Sequence, residues 1–505
     1  MTAVADRDEV RRSTRSGLIG LLGAAVNGAC GFVLTAVIVR VFGAADSGAL
    51  FTAIGLVSII GPLCCLGADT GLMWALPRRE RLARDGARLL VLALVPTVAL
   101  ATAVAVAGWL AAPRLGSALL TGGPDDAALI RLAFVGVPVF VAATVLLAAV
   151  RATRPVSAYV GLQLVAVPIA RPVLVGMAVA AGGSVVPGFG GWVLPLAFAG
   201  AAAAVLSLRP LGIGRGAALR PTPQDRREFA GFALPRALST AIDASSMWVG
   251  VLLTSALAGP AAAGVFGAVG RYVLAGLLVM QGLRVAIAPQ LSGLLGAGRR
   301  AAAAQIYRRT TVWIVLLSWP AYLLLAVFAP AFLALFGGDF SGGAAPLAVL
   351  AVAMMVNVGV GLVQTVLLMS GNSRGHLLGT VAGLAVNVAG CVLLIPRHGA
   401  LGAAVAWSLG IVCENVVAAV LARRVLGEAL FGTGLMAAAA AVVAGTGAAA
   451  AAGAGLAGRG VPGLAVALAV LLALCAAALA SPRVRRAVAA ARTQLRPPAK
   501  QEALS

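Results

Sequence analysis

Fourteen apolar runs follow one another along this chain, and no other feature restricts its fold as strongly. A helix rises about 1.5 Å per residue, so roughly 20 apolar residues match the ~30 Å hydrocarbon core of a bilayer. The runs cover residues 17–39, 48–69, 89–112, 128–150, 157–181, 190–208, 230–257, 262–284, 310–330, 344–369, 376–395, 399–421, 433–457 and 461–480. Links between them are short, and the longest, near 209–229 and 285–309, leave no room for a soluble catalytic domain. Hydrophobic residues make up 61% of the chain and charged residues 11%, more apolar surface than a soluble core can hide. The expected fold is an all-α polytopic membrane protein with fourteen transmembrane helices.

The basic residues test that expectation independently. There are 38 of them against 16 acidic ones, and nearly all are arginine. With the N-terminus placed in the cytoplasm, thirty fall on cytoplasmic segments and five on outside segments or helix ends: Arg40, Arg114, Arg131, Arg397 and Arg459. A missed or invented helix would invert the bias downstream, so the positive-inside rule supports fourteen spans with both ends cytoplasmic. Arg7, Arg11, Arg12 and Arg15 then precede a retained first helix rather than a cleaved signal. In a soluble protein the net charge of +22 would suggest nucleic acid. Here the arginines punctuate apolar segments, which points to anionic membrane lipids as partners and to no nucleic acid. The alanine- and arginine-rich, lysine-poor usage points to a bacterium, hence to its cytoplasmic membrane.

Cys30, Cys64, Cys65, Cys391, Cys413 and Cys475 all lie inside apolar runs without metal-ligand spacing. There is no Walker A motif or nucleotide-binding glycine loop. No metal, cofactor or catalytic residue is expected.

The chain also repeats itself. "VNGACGFVLTAVIVRVFGAADSG" (26–48) overlays "IDASSMWVGVLLTSALAGPAAAG" (242–264), matching Gly43 to Gly259, Gly48 to Gly264 and Asn27 to Asp243. A second overlay pairs 146–160 with 366–380 and places Arg154 on Arg374. Six spans separate the copies, an even number, so both copies have the same orientation. The expected organisation is a cytoplasmic segment 1–16, a six-helix bundle 17–208, a cytoplasmic linker 209–229 and a second, parallel six-helix bundle 230–421. Two appended helices, 433–480, and a basic tail, 481–505, complete it. Repeats of this kind are typical of secondary transporters, which place substrate at the repeat interface near mid-membrane.

The first two spans, with "RVFGAADSGALF" (40–51) and "LGADTGL" (66–72), resemble the start of bacterial polysaccharide flippases. "IPRHGALGAAVAW" (395–407) resembles the elbow before their twelfth helix. The resemblance covers roughly residues 10–425. It extends to the wider multidrug/oligosaccharidyl-lipid/polysaccharide exporter superfamily, which also holds multidrug extruders and lipid II flippases. It implies a non-enzymatic transporter, expected as a monomer, that moves undecaprenyl-pyrophosphate-linked oligosaccharide from the inner to the outer leaflet by alternating access. Polysaccharide polymerase and glycosyltransferases are the protein partners it implies.

A pyrophosphate carrier needs a cationic lumen. Ionisable groups at bilayer depth cost about 2.5–3.5 kcal/mol each on insertion scales, so they are functional candidates by default. Arg171 stands between Pro168 and Pro172 in the fifth span, and Arg271 at the centre of the eighth. Both are candidate pyrophosphate anchors, because guanidinium stays charged in low dielectric and offers a planar fork to phosphate oxygens. Arg236 lies on the face of Asp243, about 10 Å nearer the cytoplasm. Asp243 is a candidate partner for Arg271 or a coupling carboxylate, and Glu414 a second coupling or charge-pair candidate. The competing reading is structural: ion pairs, or snorkelling for Arg236 and Glu414. Asn27 joins the lumen set through its equivalence to Asp243. The amides Gln163, Asn357, Gln364 and Asn387 are expected to bond helix to helix, and Asp69 to lie at the cytoplasmic interface.

Three other functions compete. A multidrug or metabolite cation antiporter on the same fold needs acidic groups in the lumen, whereas the central charge leans cationic. A lipid II-type flippase remains a further alternative. A membrane glycosyltransferase would need a sizeable outer loop, yet the longest, about 113–127, carries only Asp125 and Asp126. The segment 395–399 (Ile-Pro-Arg-His-Gly) is expected to be a turn, with Pro396 ending one helix and Gly399 permitting reversal.

Overall fold

The computed structural model describes residues 2–78, 82–121, 123–213 and 219–480; the side chains of 2–18, 234–236 and 243–245, among a few others, fall outside that description. The described chain is helical throughout, without strands. It opens with α1 (Thr2–Cys65), α2 (Ala68–Ala75), α3 (Leu82–Leu119) and α4 (Pro124–Thr153). Next come α5 (Val156–Tyr159), a π-helical stretch (Val160–Ala166), α6 (Val167–Ala180) and α7 (Val185–Leu208). The second half holds α8 (Pro223–Ala258), α9 (Pro260–Ala275), α10 (Leu278–Gly296), α11 (Arg300–Val327), α12 (Ala329–Leu333), α13 (Ala344–Gly359) and α14 (Val363–Met369). It closes with α15 (Ser373–Leu426), α16 (Thr433–Ala457) and α17 (Val461–Ala480). Ten helices among the described residues are long and apolar enough to cross a membrane, or up to eleven if the pair bent by 44° at Ala275–Leu278 counts as one. This is an all-α polytopic membrane protein.

Two of the ten are too long to be single spans. Leu22–Cys65 has 44 residues and Ser373–Leu426 has 54, whereas about 20 suffice. Each breaks at one glycine: Gly43 (φ 68°, ψ −173°) and Gly399 (φ 52°, ψ −130°). These backbone regions are open essentially to glycine alone. The reversal at 395–399 is therefore tighter than the sequence suggests. Pro396 does not end its helix; the helix runs through it and turns on Gly399. An apolar helix tolerates such a proline close to its end.

The repeated sequence is repeated in conformation. Gly259 (φ 86°, ψ 167°) joins α8 to α9 in the same backbone region that Gly43 uses inside α1. Five residues beyond each break, Gly48 and Gly264 pack against one another. A Cβ on Gly48 would fall 1.7 Å from the Pro260 carbonyl oxygen, and one on Gly264 would fall 2.1 Å from the Ala44 carbonyl oxygen. The contact is reciprocal and backbone-to-backbone, the close approach that small residues permit between apolar helices. Leu50, Phe51, Ile54, Phe266 and Val269 are buried around it. Two cross-links tighten the same end: Arg40 Nε donates to Leu335 O (2.7 Å), and Ser255 Oγ donates to Leu119 O (2.5 Å).

Around this seam α3 packs on α4, α4 and α6 on α7, α11 on α13, and α13 and α14 on α15. The α16–α17 pair leans on α11. Large apolar side chains face outward, Leu110, Leu393 and Phe198 among them. An outward apolar surface of this extent is stable only against lipid.

Candidate functional site

A cavity of about 420 Å³ lies between α1, α4, the π-helical stretch, α6 and α7 on one side and α8 and α9 on the other. Arg171 from α6 and Arg271 from α9 both line it, with Asn27, Thr144 and Gln163. No carboxylate stands among its described lining residues. Each arginine lies over an indole: Arg171 Cζ is 4.1 Å from the Trp192 ring centroid, and Arg271 Cζ is 5.4 Å from that of Trp248. Arg171 Nε also donates to Trp192 O at 3.0 Å. A cation–π contact contributes about 0.5–2 kcal/mol, and one hydrogen bond leaves most of a guanidinium's five donors unused. Neither cation meets a carboxylate among the described lining residues, so both present donors to the cavity. That arrangement suits an anion.

The local backbone explains why Arg171 and Gln163 point into this space. Pro168 has no N–H, so Leu164 O loses its usual partner. The chain widens into a π-helix over Val160–Ala166, with Val167 N bonding Leu162 O. Such turns re-aim side chains and recur at functional sites. Gln163 sits in the widened turn, and its Oε1 is buried without a hydrogen-bond donor among the described residues. An unpaired buried amide oxygen costs about 1–3 kcal/mol.

Gln163 also lines a second, smaller cavity, of about 80 Å³, with Asp69, Thr144, Arg151 and Tyr159. Asp69 begins α2 just after a break at Leu66 (φ 50°) and Gly67 (φ 71°). Leu66 is the one non-glycine residue with positive φ among those described. The break is held against α8, since a Cβ on Gly67 would fall 2.3 Å from Ala233 O. Trp74 stacks on Phe232 about two turns further along, with ring centroids 4.6 Å apart.

The structure thus brings Arg171, Arg271 and Asn27 into one cavity. Arg236 and Asp243 belong to α8, but their side chains lie outside the described residues, and so does any contact between Asp243 and Arg271. Glu414 is elsewhere. It accepts from Gln364 Nε2 at 2.7 Å and from Thr380 Oγ1 at 3.4 Å, inside a polar cluster of α14 and α15. Glu414 is thus held by side chains of its own half of the chain. Next to it, Asn415 Nδ2 donates to Asn357 Oδ1 at 3.0 Å, and Asn387 Nδ2 donates to Ser246 O at 3.4 Å. Gln163 departs from the expectation for central amides, because it faces cavities rather than a neighbouring helix. Sequence reasoning missed Trp192 and Trp248, which carry no spacing signal toward their arginines. Pro168 was the visible sign of the π-helical turn.

No family model matches the chain, and neither does any curated protein. Solved structures do. A multidrug resistance MATE family transporter of the MOP superfamily, inward-facing, is similar over 79% of this chain and 94% of its own, at 16% identity and a TM-score of 0.63. The lipid II flippase MurJ, inward closed, is similar over 92% of this chain and 98% of its own, at 9% identity and a TM-score of 0.70. A MOP superfamily transporter from Pyrococcus furiosus, described as having a binding pocket of reverse polarity, is similar over 83% of this chain and 96% of its own. Its identity is 17% and its TM-score 0.53. At such identities the likeness is one of fold, and the fold is that of these transporters.

Proposed function

We propose that this protein is a flippase for a lipid-linked pyrophosphate glycan, of the undecaprenyl-pyrophosphate-linked oligosaccharide class. The observation that carries this reading is the cavity holding Arg171 and Arg271 without a described carboxylate. In the proposal fourteen spans form two parallel six-helix halves, with α16 and α17 appended and both ends in the cytoplasm. The cavity lies between the halves. Arg171 and Arg271 hold the pyrophosphate, Asn27 and the wall amides meet the sugar, and the polyprenyl tail stays in lipid. Because both arginines remain charged, each phosphate gains charge-assisted hydrogen bonds that a neutral lumen cannot supply. Alternating access then parts the Gly48–Gly264 seam at one end while the α2–α8 contact closes the other.

A cation extruder on the same fold is the rival reading, favoured by the MATE transporters among the structural neighbours. The discriminating experiment is reconstitution in proteoliposomes with both classes of substrate. Translocation of a lipid-linked pyrophosphate sugar supports the flippase, and efflux of organic cations without it supports the rival.

A further inference from the structure

The small cavity adjoins the arginine chamber, with two residues in the wall between them. Thr144 and Gln163 line both. Its own walls differ in chemistry. Asp69 supplies a carboxylate with no ion pair among the described residues, and Thr144 a hydroxyl. Tyr159 supplies an aromatic ring with Arg151 Cζ 5.1 Å from its centroid. A carboxylate and an amide oxygen accept from hydroxyls, a threonine both donates and accepts, and an aromatic face covers the apolar side of a ring. At the joint, Gln163 Oε1 is buried without a donor. Such an atom is open to a donor from outside the chain, a ligand hydroxyl or a water that the ligand displaces.

The order along the chain matches the order within a glycan lipid. Gln163 precedes Arg171 by eight residues, about 12 Å along the helix, and Tyr159 precedes Gln163 by about 6 Å more. With phosphate at Arg171 and Arg271, the first sugar lies in reach of Gln163, and the hydroxyls on its far edge face the small cavity of Asp69 and Tyr159.

We propose that the cavity of Asp69, Thr144, Arg151, Tyr159 and Gln163 is a second subsite, which binds the hydroxyl-rich glycan of the substrate while the arginine chamber binds its pyrophosphate. Gln163 is the residue at the junction, accepting a hydrogen bond from the sugar nearest the phosphate. This rests on the flippase reading and adds a specificity determinant to it.

The test compares two probes on the full-length protein in nanodiscs: undecaprenyl pyrophosphate, and the same lipid carrying a defined disaccharide. Gln163→Leu and, on a different helix, Asp69→Leu are each expected to weaken the glycan-bearing lipid by about five- to tenfold, the range of one or two lost hydrogen bonds. Affinity for the glycan-free lipid stays unchanged in the Asp69 variant, whose side chain lines the small cavity and not the arginine chamber. Equal weakening of both lipids, or of neither, in the variants that retain the wild-type melting temperature overturns the subsite while leaving the flippase reading intact. If the wild-type protein binds neither lipid, the flippase reading itself falls and the subsite with it.

Discussion

Alanine at position 48 tests whether one end of the molecule is closed by backbone-to-backbone contact. The added carbon would lie 1.7 Å from Pro260 O and 2.8 Å from Gly264 N, and ordinary contact begins at 3.4 Å. Helix α9 must therefore withdraw by about 1.7 Å, the difference between the required and available distances to Pro260 O. Neither neighbour is a flexible side chain, so nothing local absorbs the change. Overpacking of this kind costs about 1–3 kcal/mol. The whole penalty falls on the arrangement in which Gly48 and Gly264 touch, because an arrangement with these helices apart has room for a methyl group. A bias of that size shifts the ratio of the two arrangements about 5–150-fold. The assay is pulsed electron spin resonance between nitroxides at the exposed positions Ser117 and Leu335, on opposite sides of the seam. Gly48→Ala should move population into a longer-distance peak. Gly264→Ala, which meets Ala44 O at 2.1 Å, should do the same. The double variant should exceed either by less than their sum, since both act on one gap. Wild-type distances and an unchanged melting temperature in both single variants would refute the reasoning.

The remaining predictions concern the charges. Arg271→Gln should lower affinity for a lipid-linked pyrophosphate by about 10–100-fold, since hydrogen bonds to charged groups contribute about 1.5–3 kcal/mol; Arg271→Lys should fall between, keeping the charge but losing the fork. Fluorescence quenching of a labelled lipid by the reconstituted protein reads both, and wild-type affinity in Arg271→Gln would remove this residue from the anion site. Glu414→Ala strands the Gln364 amide donor, while Thr380 keeps the His376 carbonyl, and should destabilise the protein by about 1–3 kcal/mol, whereas Glu414→Gln retains an acceptor and should cost less. Melting temperatures check this, and equal effects from the two substitutions would show that the carboxylate's charge, not its acceptor role, matters.

Much of the fold could be read from the sequence because lipid simplifies the problem. Span length is set by bilayer thickness, and arginine placement follows charge topology, so both signals are additive along the chain. The overlay of 26–48 on 242–264 picked out Gly43, Gly48, Gly259 and Gly264 because glycine alone suits a positive φ with an extended ψ or a backbone-to-backbone approach this close. Arg171 and Arg271 could be found by position alone, since a cation at mid-bilayer needs a reason. Their aromatic partners could not. Trp192 and Trp248 reach the arginines through helix packing, which leaves no trace in spacing. The same limit hid the orientation of Gln163, which follows from a π-helical turn that Pro168 hints at but does not specify. Glu414 looked like Arg271 in sequence, an ion in an apolar run. Only packing separates a carboxylate satisfied by Gln364 and Thr380 from a cation facing a cavity.

The most direct test of the cationic cavity's role is translocation itself. Purified protein is reconstituted with undecaprenyl-pyrophosphate-linked oligosaccharide in one leaflet of proteoliposomes, and an impermeant lectin scores its arrival in the other. The predicted result is transfer by the wild-type protein that is lost in Arg171→Gln and Arg271→Gln. No transfer by the wild-type protein, together with uptake of organic cations by the same vesicles, would contradict it.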